Sequence, residues 1–360
     1  MLTIAHIRPL GYNVGNHAIA FAIRQLLFKS FGRLVSIVEY PASSKYDSIN
    51  AGITKSTVHD INRYADGVII GGGNLYENDE LDVHPGALAA LQPPLLLFSN
   101  SIGRIYGRKG RLIMRSDAMS ESKLSNLVNA SSLSYSRDSH THQYLSSLGL
   151  KDNLGYCPTL NVNDFSDCIP SLPAMEKPGT LISVRTPKQM NIPFRHQAKV
   201  QDDIEIIIQH LRKLGHDRIR ILCNDSRDLD FATCFKSCNV DSIYTDDVYQ
   251  YFSLLKQARM VVSYRLHASL PALSFGRPTL NITYDERATC LFNDLNLSEY
   301  TINMIENSDN FRDVLIAKLS KLSDLDSVSV SSTSAWSNAC KLHSEIFDNF
   351  NELVRNYVAS

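Results

Sequence analysis

Residues 261–287, VVSYRLHASLPALSFGRPTLNITYDER, predict a strand, a helix and a second strand in close succession. The apolar run ending at Ser263 is typical of a buried parallel strand. Gly276-Arg-Pro278 ends the following helix, because glycine suits the position after a helix and proline cannot continue one. Ligands bind outside the carboxyl ends of strands in open α/β sheets. The residues that follow these two strands therefore predict a ligand site: Arg265, His267, Tyr284, Asp285 and Arg287.

Strand and helix patterns alternate along most of the 360 residues, which favours a layered α/β fold. The pattern loosens between Cys157 and Gly179, where four prolines occur, and this stretch predicts a domain boundary. We predict two Rossmann-like domains that face a cleft, residues 1–170 and 178–300. C-terminal helices follow over residues 301–360.

Two helices predicted from apolar spacing bear on this organisation, Leu112–Asn129 and Ala335–Tyr357. The second has an apolar stripe that could pack across the domains or rest on a membrane surface. Its members are Leu342, Ile346, Phe347, Phe350 and Leu353.

Composition excludes several classes of function. Charged residues make up 20% of the chain and the net charge is −1, which argues against nucleic acid as a partner. The first residues lack the features of a signal peptide, and no run approaches the ~18 apolar residues of a membrane-spanning helix. Seven cysteines without framework or zinc-site spacing indicate a reducing compartment and no metal site. We predict a cytoplasmic protein, with peripheral contact at the inner face of the membrane left open.

Two glycine-containing turns follow predicted strands. Asn13-Val-Gly15-Asn16 opens a helix, so its backbone N–H groups could hold an anion, or it could be only a tight turn. Gly71-Gly72-Gly73-Asn74 permits close approach of a ligand, or it could only let two backbones pass.

Charged residues follow other predicted strands. Arg137 and Asp138 could form an ion pair at a helix start or contact substrate. Arg185 is expected to bind an anion, because guanidinium matches phosphate and carboxylate groups. Asp225 could hold a hydroxyl or serve a turn. His267 could be a satisfied core side chain, or an acid, base or phosphate donor that titrates near neutral pH.

In this order, the motifs resemble those of the polysaccharide pyruvyltransferase family, from about residue 11 to residue 290. The matching segments are Asn13-x-Gly15-x-x-Ala18, Asp66 to Leu75, Ser136-Arg-Asp138, Cys157-Pro-Thr159, Ser183-Val-Arg185, Ser263-Tyr-Arg-Leu-His-Ala268, Gly276-Arg-Pro278 and Tyr284-Asp285. Two positions depart from the family pattern. Asn16 stands where the family commonly has Asp, and the family often has Lys near Arg287.

The resemblance implies a GT-B-like fold with the active site between two Rossmann-like domains, the first on the acceptor side and the second on the donor side. It also implies transfer of pyruvate from phosphoenolpyruvate to two hydroxyls of a sugar, in a cell-surface polysaccharide or its lipid-linked precursor. The product is a cyclic ketal. The resemblance thus implies phosphoenolpyruvate as a co-substrate, and we expect neither a cofactor nor a metal to be needed if arginines stabilise the charge of the departing phosphate.

On this hypothesis, Arg185 and Arg265 bind the phosphate and carboxylate of the donor, and His267 provides acid catalysis or stabilises the leaving group. Asp225, Tyr284 and Asp285 are candidates for acceptor binding or proton transfer, with Asp285 counted with the catalytic residues. Further substrate contacts are expected from Asn13, Asn16, Gly72, Gly73, Asn74, Arg137 and Arg287.

Two other functions remain open. A GT-B glycosyltransferase would place the phosphates of a CMP- or UDP-sugar in the same cleft. A non-catalytic glycan-binding protein would keep the fold without turnover. The sequence leaves the acceptor sugar, the ketal linkage and the oligomeric state undetermined.

Overall fold

Two parallel sheets, each of six strands, organise the part of the chain that the computed structural model describes, residues 1–46, 49–173 and 176–360. The strands are β1 (Leu2–Arg8), β2 (Val35–Pro41), β3 (Gly67–Gly73), β4 (Leu95–Asn100), β5 (Ile105–Tyr106), β6 (Leu112–Ile113), β7 (Leu133–Ser136), β8 (Asn153–Leu154), β9 (Thr180–Val184), β10 (Ile219–Cys223), β11 (Asp241–Tyr244), β12 (Met260–Ser263), β13 (Thr279–Thr283) and β14 (Thr301–Asn303).

Helices cover both faces of these sheets. They are α1 (Val14–Phe31), α2 (Lys55–Tyr64), α3 (Pro85–Ala89), α4 (Glu121–Ala130), α5 (Ser139–Ser147), α6 (Phe194–Gln197), α7 (Val200–Lys213), α8 (Leu229–Ala232), α9 (Val248–Gln257), α10 (Leu266–Ser274), α11 (Glu286–Asp294), α12 (Phe311–Ser323) and α13 (Ser334–Ala359). None of the helices in the described ranges is long and apolar enough to cross a membrane.

The strand order places the functional end of each sheet. The first sheet runs β2-β1-β3-β4-β7-β8 and the second β11-β10-β9-β12-β13-β14. Strands β3, β9, β12 and β13 are buried along their whole length, as expected when helices cover both faces of a parallel sheet. The order reverses between β1 and β3 and between β9 and β12. Loops diverge at such points and open a crevice at the carboxyl ends of the strands.

Helix α13 packs against both halves of the molecule. Trp336 is buried with Leu270 and Leu273, whereas Phe347 and Phe350 are buried beside Ile4. The apolar stripe predicted on this helix therefore contributes to the protein core. Leu342 packs at the edge of the same cluster.

The predicted α/β fold with two parallel sheets is confirmed, but two local predictions are wrong. The first is the helix over Leu112–Asn129. Leu112–Ile113 instead pairs with β5 in a hairpin, and α4 begins only at Glu121, where Ser120 accepts a hydrogen bond from the backbone N–H of Lys123.

The second error is the start of the predicted C-terminal helices at residue 301, because Thr301–Asn303 forms β14. Its three residues pair in parallel with β13 and complete the second sheet. A strand this short has no readable alternation. Within the predicted boundary stretch, Ala174 and Met175 lie outside the described residues, and Pro158–Cys168 forms a 3₁₀ segment.

Candidate active site

A cavity of about 550 Å³ lies between the two sheets, where the loops after β1, β3, β9, β12 and β13 converge. This volume is in the usual range for small-molecule sites. Most of the residues predicted to bind or transform substrate line the cavity: Asn13, Asn16, Asn74, Arg137, Arg185, Arg265, His267, Tyr284, Asp285 and Arg287.

Three predicted residues, Gly72, Gly73 and Asp225, do not line the cavity. A Cβ built on Gly72 would lie 2.2 Å from Cγ2 of Ile19, so this glycine lets β3 approach α1. Gly73 has φ +106°, a conformation that favours glycine. Asp225 is buried and accepts hydrogen bonds from Nε of Arg227 at 2.8 Å and Nη2 at 2.5 Å. The geometry gives all three a structural use.

Arg137 and Arg185 line the cavity without a carboxylate partner among the described residues. Arg137 is 2% exposed, and its Nη2 donates to Oγ of Ser101 at 2.5 Å while its Nε has no partner. Nε of Arg185 donates to the backbone oxygen of Gln189 at 2.8 Å. Burial lowers the pKa of both guanidinium groups. Asp138 and Glu77 act on Arg137, and Asp228 acts on Arg185, only beyond ion-pair distance. A desolvated cation without a direct ion pair is costly, so both positions favour a bound anion.

Arg265 places a third guanidinium at the same wall. Its Nη2 forms an ion pair with Asp228 and its Nε donates to the backbone oxygen of Val184 at 3.0 Å, while its buried Nη1 has no partner in the described structure. Arg265 is also the residue before α10, and no side chain caps this helix start. The positive end of the α10 dipole therefore adds to the charge at the cavity wall.

His267, in the first turn of α10, is neutral at neutral pH. Burial, together with the positive charges of Arg137, Arg287 and Arg265, lowers its pKa to about 3, so the predicted titration near neutral pH is wrong for the ligand-free protein. Its Nε2 has no hydrogen-bond partner within the described ranges. A Cβ built on Gly15 would lie 3.0 Å from Nδ1 of His267, so a glycine at this point lets α1 pack against the imidazole. A neutral imidazole with a free ring nitrogen can accept a proton.

Arg287 joins the two halves of the molecule through carboxylates. It forms ion pairs with Glu77, which follows β3, and with Asp285, whose Oδ2 lies 2.5 Å from Nη2. A Cβ on Gly103 would meet Cγ of Arg287, so this glycine makes room for the arginine. Asp285 also caps α11, accepting a hydrogen bond from the backbone N–H of Ala288 at 3.1 Å.

The two carboxyl groups on Arg287 differ in their affinity for a proton. Burial works against the charged form of Asp285, yet Arg287 and the N–H of Ala288 hold its pKa below the usual range. Burial raises the pKa of Glu77 above the usual range, and Arg287 only partly opposes this. Neighbouring carboxyls whose pKa values are driven apart are typical of an acid and a fixed anion. Asp285 is the fixed anion and Glu77 is the group that takes up a proton more readily.

Glu77 was missed in the sequence, as was Arg115, which also lines the cavity. Glu77 is 1% exposed, and its Oε1 lies 3.8 Å from Nη1 of Arg115. The sequence offered one indication that Glu77 could belong to the site, namely its position shortly after the glycine turn at Gly71–Gly73, where a strand ends. Residues 74–80 have no helical or strand period that would mark a buried side chain.

Arg137 and Asp138 do not form the ion pair that was one of the two predicted alternatives, because no contact within 4 Å joins their charged groups among the described residues. Asp138 is buried and caps α5, where it accepts a hydrogen bond from the backbone N–H of Thr141 at 2.9 Å. Burial raises the pKa of Asp138 to about 6, with Arg137 opposing. Arg137 instead lines the cavity. The pair therefore combines a helix cap with a candidate ligand contact.

The sequence profile of a family described as polysaccharide pyruvyl transferase matches residues 13–286, which is more than half of the chain. The chain belongs to this family. Among proteins of curated function, no significant match to the sequence is found.

Solved structures show the fold class. UDP-N-acetylglucosamine 2-epimerase from Rickettsia bellii has a TM-score of 0.60 at 12% identity, covering 100% of this chain and 97% of its own. The S. aureus MnaA–UDP structure has a TM-score of 0.57 at 12% identity, covering 94% of each chain. The Neisseria meningitidis UDP-GlcNAc 2-epimerase bound to UDP-GlcNAc has a TM-score of 0.53 at 10% identity, covering 99% of this chain and 100% of its own. The predicted GT-B-like arrangement is thereby confirmed.

Proposed function

We propose that this protein transfers pyruvate from phosphoenolpyruvate to two hydroxyls of one sugar and forms a cyclic ketal. The main support is the presence, in one cavity, of Arg137 and Arg185, two guanidinium groups with no carboxylate partner among the described residues. Phosphoenolpyruvate has two anionic groups, a phosphate and a carboxylate. Membership in the family supports the same reaction.

The binding role falls to the arginines. Arg137 and Arg185 take the two anionic ends of the donor, because planar guanidinium groups bind phosphate and carboxylate oxygens bidentately. Nη1 of Arg265 and the start of α10 add donors on the same wall. Arg287 is already held by Glu77 and Asp285, so we assign it to positioning these carboxyls.

The reaction has two steps, an addition and an elimination, and each step requires two proton transfers. In the first step a sugar hydroxyl adds to C2 of phosphoenolpyruvate, and its proton passes to Nε2 of His267. The methylene carbon C3 gains a proton from Glu77 and becomes a methyl group. In the second step the C2–O bond to phosphate breaks, and His267 returns its proton to the departing phosphate. The second hydroxyl then attacks C2 and its proton restores Glu77. The sum is a ketal and hydrogen phosphate.

This scheme refines the role of two predicted catalytic residues. His267 serves first as a base, because its pKa of about 3 leaves it neutral in the free protein. Bound phosphate then raises that pKa, since an anion favours the charged imidazole. Asp285 remains an anion that caps α11 and holds Arg287.

The acceptor is expected on the side of Asn13 and Asn16, which line the cavity from the start of α1. An amide at residue 16 both donates and accepts hydrogen bonds but cannot take a proton. We therefore assign Asn16 to orienting a sugar hydroxyl. The acceptor is a sugar of a polysaccharide or of its lipid-linked precursor.

Ligand-induced thermal stabilisation distinguishes this function from a nucleotide-sugar enzyme. Phosphoenolpyruvate at about 100 times its Kd is expected to stabilise the folded protein by about 2.7 kcal/mol and to raise Tm accordingly. Inorganic phosphate and pyruvate, tested separately as controls, should stabilise less because each contacts only part of the arginine set. A rise in Tm with UDP-GlcNAc and none with phosphoenolpyruvate would favour the glycosyltransferase alternative.

A further inference from the structure

Two segments next to the cavity contain basic residues and no acidic ones. Residues 104–115 include five arginines and lysines, and residues 185–199 include four, without a single Asp or Glu in either segment. The whole chain has a net charge of −1. Positive charge is therefore concentrated in these two segments, although composition alone shows no excess.

The two segments meet in space although they belong to different halves of the molecule. The first forms the β5–β6 hairpin and the second includes α6. A Cβ built on Gly110, in the hairpin turn, would lie 3.3 Å from Nη2 of Arg195, at the second residue of α6. Together they form one surface, which we call the basic face. Its exposed cations are Arg108, Lys109, Arg111, Lys188, Arg195 and Lys199.

Large apolar side chains are exposed in the same two segments. Phe194 is 81% exposed, Ile113 is 50% exposed and Met114 is 37% exposed. Within the described ranges, none of these six cations forms an ion pair with a carboxylate within 4 Å. Exposed apolar side chains among unpaired cations are typical of surfaces that enter the headgroup region of a membrane.

We propose that the basic face docks on an anionic phospholipid surface. The cations would interact with lipid phosphates, and Phe194, Ile113 and Met114 would insert among the acyl chains near the headgroups. A nucleic acid would use the cations but would gain nothing from an exposed Ile113 and Met114. The aliphatic side chains therefore favour a lipid surface as the partner.

The basic face lies next to the cavity. Ile105 and Arg115, at the base of the hairpin, line the cavity, and so do Gln189, Met190 and Asn191, just before α6. A membrane bound at the basic face would thus lie beside the cavity mouth. If the proposed transferase acts on a lipid-linked sugar, this geometry brings the acceptor to the site. The docking itself does not depend on that reaction.

Vesicle flotation of the full chain tests the proposal. The protein should float with vesicles of phosphatidylcholine and phosphatidylglycerol, but not with phosphatidylcholine alone, and binding should weaken as salt rises. Arg108→Gln, Lys109→Gln and Arg111→Gln combined should lower the partition coefficient about 100-fold, at about fivefold for each cation. Phe194→Ser should lower it about tenfold, because an apolar insertion is lost.

A matched control uses Arg33→Gln with Leu34→Ser, since Arg33 is exposed and Leu34 is 78% exposed at the turn before β2. This double variant should bind vesicles as the parent does. The proposal is overturned if anionic vesicles bind no protein, if control and test variants lose binding equally, or if the protein binds a DNA duplex and no vesicle. Thermal melts of each variant confirm that it is folded.

Discussion

Replacing Glu77 by glutamine is expected to lower kcat at least about 100-fold, while KM for phosphoenolpyruvate changes less than about threefold. Glutamine has nearly the same shape, and its amide oxygen can still accept a hydrogen bond from Arg287. It cannot give a proton to C3. Loss of general acid catalysis therefore appears in turnover, whereas the arginines that bind the donor are untouched.

The pH dependence of kcat separates a proton donor from a residue that only holds Arg287. Because Glu77 must be protonated to act, kcat of the parent enzyme should fall as pH rises through the pKa of Glu77. Burial raises that pKa, so the decline should begin above the usual range of a glutamate. The residual activity of Glu77→Gln should lack this decline.

Glu286→Gln is the matched control for this experiment. Glu286 is also a buried carboxylate that pairs with an arginine across the two halves, Arg104, but it does not line the cavity. Its substitution should leave the pH profile of kcat unchanged. A Glu77→Gln enzyme with near-normal kcat and an unaltered profile would show that Glu77 has no part in proton transfer.

Replacing Arg137 by methionine is expected to lower kcat/KM for phosphoenolpyruvate at least about 100-fold and to abolish the thermal stabilisation by this ligand. Loss of a buried, charge-assisted contact to an anion costs about 2–5 kcal/mol, which supports a change of this size. Arg137→Lys should recover only part of the activity, because an ammonium cannot bind two oxygens in a fixed plane.

The same variant should destabilise the ligand-free protein only slightly. Arg137 forms no ion pair with a carboxylate within 4 Å among the described residues, so methionine removes a desolvated charge and breaks no direct ion pair, although the buried Asp138 loses the longer-range attraction of Arg137. Arg265→Met provides the contrast, since it would leave the buried carboxylate of Asp228 without its partner. That loss is expected to cost about 3–5 kcal/mol of folding free energy. Urea unfolding of both variants measures the difference, and strong destabilisation by Arg137→Met would contradict a ligand-binding role.

The sequence predicted the sheets and most of the cavity wall for a physical reason. Buried parallel strands are short apolar runs, and the residues just after them must lie at one edge of the sheet. Arg137, Arg185, Arg265 and His267 follow β7, β9 and β12 directly, so their placement follows from the strand assignments. The hairpin at β5–β6 and the short strand β14 have too few residues for a readable period.

The pairing of side chains across the two halves could not be read from the sequence. Arg287 and Glu77 are far apart in the chain, and their contact depends on how the sheets face each other and on the space left by Gly103. The sequence identified Asp285 as a catalytic candidate from its position, whereas its capping bond and ion pair appear only in three dimensions. The ion pair between Asp225 and Arg227 likewise appears only in three dimensions.

The most direct test of the proposed transfer follows the fate of isotope-labelled phosphoenolpyruvate. The purified protein is incubated with lipid-linked glycans and phosphoenolpyruvate that has ¹³C at the methylene carbon, and the products are followed by NMR and phosphate assay. We expect the label to appear as the methyl carbon of a glycan-bound ketal, with one phosphate released for each ketal formed. Transfer of sugar from UDP-GlcNAc to the same glycans, with phosphoenolpyruvate unchanged, would contradict this expectation.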